Sequence, residues 1–308
     1  MSRPRVSVVM AVKDYNNEYL DKAMGSILNQ TFKDFELIIV DGASTDGTSE
    51  KIQSNCDNRI NHIILDNDPG FTKMLEIGVD ISKGDYIARH DADDISDPTR
   101  FERQVEFLDE HPEISILGTS VYMIDENGNV TSSLIVDYDH DRAVKELRYG
   151  CPFAHGSVMI RREVFNRYNY DPRLPMAQDY DLWLRISKNV EYRFRVIPDP
   201  LYYLREHKDC VSNKNWIRQF VCTEYARLRC IGDPGNLDDV MYLINNGLSR
   251  SRMRFIAYQH RKGFYFDNDI ILRLYHIFIV MVTQPDYWLN EVTKKIEGDQ
   301  RNGKPVCL

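Results

Sequence analysis

The first hundred residues alternate short apolar runs with amphipathic stretches, and this rhythm restricts the fold more than any other feature of the chain. Val6-Ser7-Val8-Val9-Met10 and Glu36-Leu37-Ile38-Ile39-Val40 are compact, largely β-branched runs, as buried strands are. Residues 60–65 and the run Tyr86-Ile87-Ala88-Arg89-His90 read as two more strands. Between the runs, Leu20, Met24, Ile27 and Leu28 fall at helical spacing. Residues 71–82 read as a helix closed by Lys83-Gly84, and Asp97-Pro98 starts another with Phe101, Val105 and Leu108 on one face. Such alternation implies an open, mostly parallel sheet with helices on both faces. Ligands of these sheets bind beyond the carboxyl ends of the strands. Three of those ends carry acids: Asp14, Asp41 and the cluster Asp91, Asp93, Asp94. The rhythm weakens after Ile124. One more strand is expected over 156–160, and mainly helix beyond about residue 212.

Several function classes are disfavoured. A chain of 308 residues with net charge −8 lacks the overall basic balance of a nucleic-acid binder, so no nucleic-acid partner is expected. The six cysteines include no C-x-x-C pair, which argues against a structural zinc site and fits a reduced, cytoplasmic protein. No Gly-x-Gly-x-x-Gly follows a strand, and no Walker A loop or Gly-x-Ser-x-Gly elbow is present. The most apolar stretch, residues 270–282, is interrupted by Arg273 and His276 and falls short of the roughly twenty residues a span needs. It reads as a core helix or as a helix lying on a membrane surface.

His90-Asp91-Ala92-Asp93-Asp94 follows a predicted strand. In extended geometry Asp91 and Asp93 point the same way and Asp94 faces elsewhere. Two hard oxygen ligands with open positions suit Mn²⁺ or Mg²⁺ shared with a diphosphate; a solvated acidic turn capping the next helix is the alternative. The stretch from Gly84 through Asp91-Ala92-Asp93-Asp94 to Arg100 resembles the signature of family 2 glycosyltransferases. Val40-Asp41-Gly42-Ala43-Ser44-Thr45-Asp46-Gly47-Thr48 resembles the family's second signature. Ser26-Ile27-Leu28-Asn29-Gln30-Thr31-Phe32 and Gly70-Phe71-Thr72-Lys73 match the subgroup that builds bacterial surface polysaccharides.

The resemblance spans roughly residues 5–212 and implies a GT-A fold: a Rossmann-like mixed sheet flanked by helices, with a C-terminal helical extension. It divides the chain into a nucleotide half (about 1–125), an acceptor half (about 126–212) and the extension (213–308). It implies an inverting, metal-dependent transfer of a sugar from a nucleotide-sugar, a UDP-sugar foremost, to a hydroxyl of a glycan or lipid-linked acceptor. Asp41 resembles the acid that binds the nucleobase. Ala11 and Val12 resemble the segment along base and ribose, and Asp91 the residue at ribose and metal-bound water. Asp93 resembles the direct metal ligand. Lys73 reads as a phosphate contact or an exposed helix charge. Ala11 stands where the family has Pro, and Lys13-Asp14-Tyr15-Asn16 carries an extra residue, so either Asp14 or Tyr15 faces the nucleotide. In Gln178-Asp179-Tyr180-Asp181, Asp179 resembles the general base, with Asp181 as its rival and Gln178 where Glu is common. His207 resembles a residue that closes over the diphosphate or completes the metal site, or is structural. His155 matches a segment lining the acceptor side, and Trp183 is either core or a sugar-stacking face. The extension is expected to serve dimer contact, docking on the cytoplasmic face of the inner membrane, or acceptor recognition. A homologue that binds nucleotide or sugar without turnover is the non-enzymatic alternative.

Overall fold

The computed structural model describes residues 3–15, 18–147, 150–207 and 216–230. Strands β1 (Val6–Val12), β2 (Phe35–Asp41), β3 (Ile60–Ile64) and β4 (Tyr86–Arg89) are parallel and lie in the order β3-β2-β1-β4. Helices α1 (Glu18–Leu28), α2 (Thr48–Gln53) and α3 (Phe71–Ile81) make the crossovers, and α4 (Arg100–Glu110) follows a two-residue strand, β5 (Ile95–Ser96). Every residue of β1 is buried, because helices cover both of its faces. Val6, Val8, Met10 and Val12 pack with Leu20, Met24 and Ile27 of α1 and with Phe101, Val105 and Leu108 of α4. Val9 points the other way, onto Gly78 of α3. Each run expected to be a strand in the first hundred residues is one, with ends shifted by a residue or two.

The sheet is mixed. β8 (Met159–Arg161) runs antiparallel to β4 and to β6 (Ile114–Ile124). β9 (Arg193–Arg205) is parallel to β6 and antiparallel to β5, and β7 (Val130–Leu134) hangs off β6. The alternation does not single out β6, β7 or β9, for a physical reason in each case. β6 is almost wholly buried, polar residues Ser115, Thr119 and Ser120 included, so it shows no alternation of apolar and polar residues. β7 is exposed throughout. β9 contains Pro198 and Pro200, which deny donors to the ladder, and its register with β6 slips at that point.

Helices α5 (His140–Glu146), α6 (Arg162–Phe165) and α7 (Gln178–Ile186) complete this half. A further helix, α8 (Trp216–Cys230), lies on α7. Arg229 reaches Asp171 at 2.9 Å and Asp181 at 3.2 Å, and Arg227 donates to the Tyr180 hydroxyl at 2.9 Å. The chain through Cys230 forms one compact unit. The rest of the expected helical extension, with residues 270–282 and the dimer and membrane contacts assigned to it, lies outside the described residues. Among the described residues no helix is long and apolar enough to cross a membrane.

Gly84 ends the turn before β4, where the chain crosses β1. A Cβ there would lie 2.5 Å from the Ser7 nitrogen and 2.8 Å from the Tyr86 oxygen, both backbone atoms that cannot step aside. Gly84→Ala should therefore cost about 3 kcal/mol of stability, at the upper end of overpacking effects, as measured by urea unfolding.

Candidate active site

A cleft of about 490 Å³ opens at the carboxyl ends of β1 and β4, within the range of small-ligand pockets. A larger and more open hollow of about 800 Å³ lies at the opposite end of the sheet, among Arg3, Lys33, Arg59 and Lys83. None of the candidate residues reaches it, so the cleft is where the chemistry gathers.

Ala11 and Val12 end β1 and line the cleft. The next residues turn sharply: Asp14 has φ 48°, a left-handed conformation that costs a non-glycine residue energy. That turn aims the Asp14 carboxylate away from the cleft, at the β2–α2 loop, where it accepts the Thr45 N–H at 2.7 Å. Tyr15, not Asp14, lines the cleft. Asp41 ends β2 and is wholly buried. It accepts the Ser44 N–H at 2.9 Å and the Ser49 hydroxyl, with His62 Nε2 at 3.5 Å. Burial pushes its pKa up, but the hydrogen bonds from Ser49 and Ser44 prevail and hold it below the ordinary 3.8. Asp41 thus organises the loop and does not form part of the cleft wall. Lys73 points along an exposed face of α3 and pairs with Glu76, outside the cleft.

β4 stops at Arg89, and residues 91–94 form a turn instead of continuing the strand. Asp91 and Asp93 both line the cleft. Asp94 faces elsewhere, as the spacing implies: it is buried, accepting the Tyr202 hydroxyl at 2.8 Å and the Arg205 N–H at 2.7 Å. Asp91 is held by the Arg89 guanidinium at 2.5 Å. Burial raises the Asp91 pKa, Arg89 pulls it back and Asp93 adds to the rise. Asp93 meets His207 Nε2 at 3.1 Å.

Asp179 lies in the first turn of α7 and lines the cleft. Ala177, just before the helix, is left-handed at φ 53°, a strained entry that fixes where the first turn points. The Tyr180 N–H caps one Asp179 oxygen at 2.8 Å, and the Cys151 thiol is 3.8 Å from the other. Burial raises the Asp179 pKa, against the pull of the backbone N–H groups. A carboxylate so placed binds a proton more readily than one in water, which suits a general base. His155 also lines the cleft, 2.7 Å from the Tyr170 hydroxyl, and burial keeps its ring neutral to well below the ordinary value. Asp181 and Trp183 do not reach the cleft. Asp181 is buried against Arg185 at 2.7 Å and Arg229, and Trp183 lies edge-on to Phe153 in the core.

The sequence reading passes over Arg89, Tyr202 and Arg205, the buried groups that hold the acidic turn. Each stands in an apolar or family-like stretch whose neighbours drew the notice. It also passes over Gln219 of α8, which reaches the cleft from beyond the expected end of the catalytic domain.

Among the described residues no group of three or more His, Cys, Asp or Glu side chains forms a closed metal site. Asp93 and His207 offer an oxygen and a nitrogen 3.1 Å apart. Two donors at right angles, each about 2.1 Å from one ion, are about 3.0 Å apart, so the spacing of the pair fits two positions of a partly coordinated ion.

Residues 7–168, more than half of the chain, match the sequence profile of glycosyl transferase family 2. The chain belongs to that family. An uncharacterized glycosyltransferase of Methanocaldococcus jannaschii is 34% identical over 67% of this chain and 72% of its own length. The O-antigen biosynthesis glycosyltransferase WbnJ of Escherichia coli is 31% identical over 72% of this chain and 87% of its own. The amylovoran biosynthesis glycosyltransferase AmsE of Erwinia amylovora is 27% identical over 80% and 95%. Among solved structures, S. aureus TarS 1–349 in complex with UDP superposes with a TM-score of 0.62 at 16% identity, over 98% of this chain and 93% of that one. This likeness establishes the GT-A type of fold: a mixed sheet flanked by helices.

Because the folded pKa of Asp41 is below its unfolded value, the charge adds stability above about pH 3.8 that is lost as pH falls through the lower folded value. Asp41→Asn should cost about 1–3 kcal/mol at pH 7. The gap between variant and wild-type unfolding midpoints should close progressively below pH 4.

Proposed function

We propose that this family 2 glycosyltransferase moves a sugar from a UDP-sugar, with inversion, to a hydroxyl of a glycan or lipid-linked acceptor in bacterial surface-polysaccharide assembly. One observation carries the reading: a single cleft gathers the Asp91–Asp93 turn, with His207 bound to Asp93, and the half-buried Asp179 of α7. The relatives named for O-antigen and amylovoran biosynthesis support the polysaccharide context, and the UDP bound to TarS supports the donor.

In this reading the base and ribose lie along Ala11 and Val12, with Tyr15 beside them in place of Asp14. Asp41 acts from beneath, by shaping the loop. Asp93 and His207 would hold Mn²⁺ or Mg²⁺ beside the diphosphate. When bound, the ion offsets the charge that develops on the departing nucleoside diphosphate. Asp91, fixed by Arg89, would orient the ribose. Asp179 accepts the proton of the acceptor hydroxyl. The hydroxyl oxygen bonds to the anomeric carbon as the bond from that carbon to the diphosphate oxygen breaks. His155, neutral and tied to Tyr170, and the amides of Gln178 and Gln219 line the acceptor side. Work at the cytoplasmic membrane face belongs to the same proposal and follows from the lipid-linked acceptor.

Calorimetric titration of UDP with Mn²⁺ tests the donor site. Binding should need the metal and weaken at least tenfold in Asp93→Ala. Asp179→Asn should keep UDP affinity within about twofold while transfer falls by about 10²–10⁴. Binding with no transfer from any of several UDP-sugars would favour the inactive-homologue alternative.

The base is active when ionised, so transfer should fall as pH drops through the Asp179 pKa. Because burial raises that pKa, the acid limb of kcat/KM should lie above the ordinary carboxylate value of 3.8. A pH–rate profile checks this; an acid limb at or below 3.8 would oppose Asp179 as the base.

A further inference from the structure

The turn that presents Asp91 and Asp93 is built on a hydroxyl supplied by the other half of the sheet. Tyr202 of β9 is fully buried, and its oxygen meets both ends of the turn. It accepts the Asp91 N–H at 3.1 Å and donates to Asp94 Oδ2 at 2.8 Å. Ala92 and Asp93 lie between these two anchors. β9 adds a second grip three residues on, where Arg205 gives its N–H to Asp94 Oδ1 and its Nε–H to the Asp93 carbonyl, each at 2.7 Å.

The ring has no room to move. Arg100 lies over one face, 5.0 Å from its centre, and the His90 ring meets it edge-on at 5.3 Å. On a further side it abuts Gly156. A Cβ on Gly156 would overlap the Tyr202 Oη and Cζ and lie 2.9 Å from Cε1. The absent side chain at 156 is therefore what lets a tyrosine hydroxyl reach the turn. This gives the His155-Gly156-Ser157 segment a role distinct from lining the acceptor side.

We propose that Tyr202 is a positioning residue for the donor site, seated by Gly156, and that it fixes the Asp91–Asp94 turn so that Asp91 and Asp93 meet the metal–diphosphate together. The donor role of the turn rests on the function proposed above; the pinning of the turn does not. A phenol can accept from one group and donate to another from the end of a rigid ring, and both partners here are buried or half-buried. Phenylalanine keeps the ring and leaves a buried N–H and a carboxylate oxygen each short of one bond.

Tyr202→Phe is compared with wild type and with Val105→Ala, a truncation in the α4 core that removes no hydrogen bond to the turn. Hydrogen exchange of the Asp91 amide is read first, without ligand. It should speed up at least tenfold in Tyr202→Phe and stay near wild type in Val105→Ala, even where both variants lower Tm alike. The affinity for UDP with Mn²⁺ should then fall about ten- to a hundredfold in Tyr202→Phe only. Gly156→Ala should reproduce both effects, and its effect should shrink in the Tyr202→Phe background, because both changes strike one contact. Unchanged Asp91 exchange in Tyr202→Phe overturns the proposal. So does faster exchange with UDP–Mn²⁺ affinity equal to wild type, or an equal loss of affinity in Val105→Ala. If wild type binds no UDP yet exchange responds as expected, the pinning stands and the donor-site reading is what fails.

Discussion

Asp94 carries a carboxylate into the interior of the sheet, Asp91 sits beside it, and three arginines are buried with them. Arg89, Arg100 and Arg205 are each at most 3% exposed. Charge is not buried in this way without partners, because removing it from water costs several kcal/mol per ion. The partners come from different elements. Arg89 ends β4 and holds Asp91. Arg100 opens α4 and donates to the Arg89 carbonyl and to Ser96 of β5. Arg205 ends β9 and holds the backbone of the turn. The parallel and mixed portions of the sheet are thus joined through one set of buried polar groups, in which Arg89–Asp91 is an ion pair and the other bonds run to carbonyls, hydroxyls and a backbone N–H. Burial raises the proton affinity of Asp91 and Asp179, and it fixes the side chains of the turn ahead of any ligand, so that less ordering remains to be done on binding.

The first half of the fold was legible because its physics is local. β1 and β2 are buried on both faces, so their sequences are continuous apolar runs, and the helices between them show a clean apolar stripe. β9 is not local in this sense. Its two prolines argue against a strand by every short-range rule, and it forms because β6 and β5 pair with it from distant parts of the chain. The cleft follows the same division. Asp91 and Asp93 were legible because paired acids beyond a strand end stand out; Asp179 was chosen over Asp181 by family position. Asp41 and Lys73 were assigned to the nucleotide by family position. Their surroundings here differ: Asp41 is turned into its own loop by Ser44, Ser49 and His62, and Lys73 lies on the solvent face of α3 beside Glu76. Asp181 and Trp183 are built into the α7 packing, Asp181 against α8 and Trp183 in the core. Helical spacing alone cannot tell an Asp facing a cleft from one facing an arginine of a later helix.

Gln219 shows where a family description stops short of the molecule. The family profile ends at residue 168, yet α7 and α8 supply Asp179 and Gln219 to the same cleft. α8 is held against α7 by Arg227 and Arg229, so one wall of the cleft depends on a helix beyond the family profile.

The central claim is that the Asp91–Asp93 turn and His207 hold a metal–nucleotide while Asp179 waits across the same cleft. Crystals grown with UDP and Mn²⁺, with anomalous data collected at the manganese edge, test it most directly. The account predicts an anomalous peak bonded to Asp93 and His207, the diphosphate on that ion, the uridine along Ala11 and Val12, and Asp179 free of the nucleotide and facing open space. A nucleotide bound elsewhere, or manganese with no bond to Asp93, would contradict it.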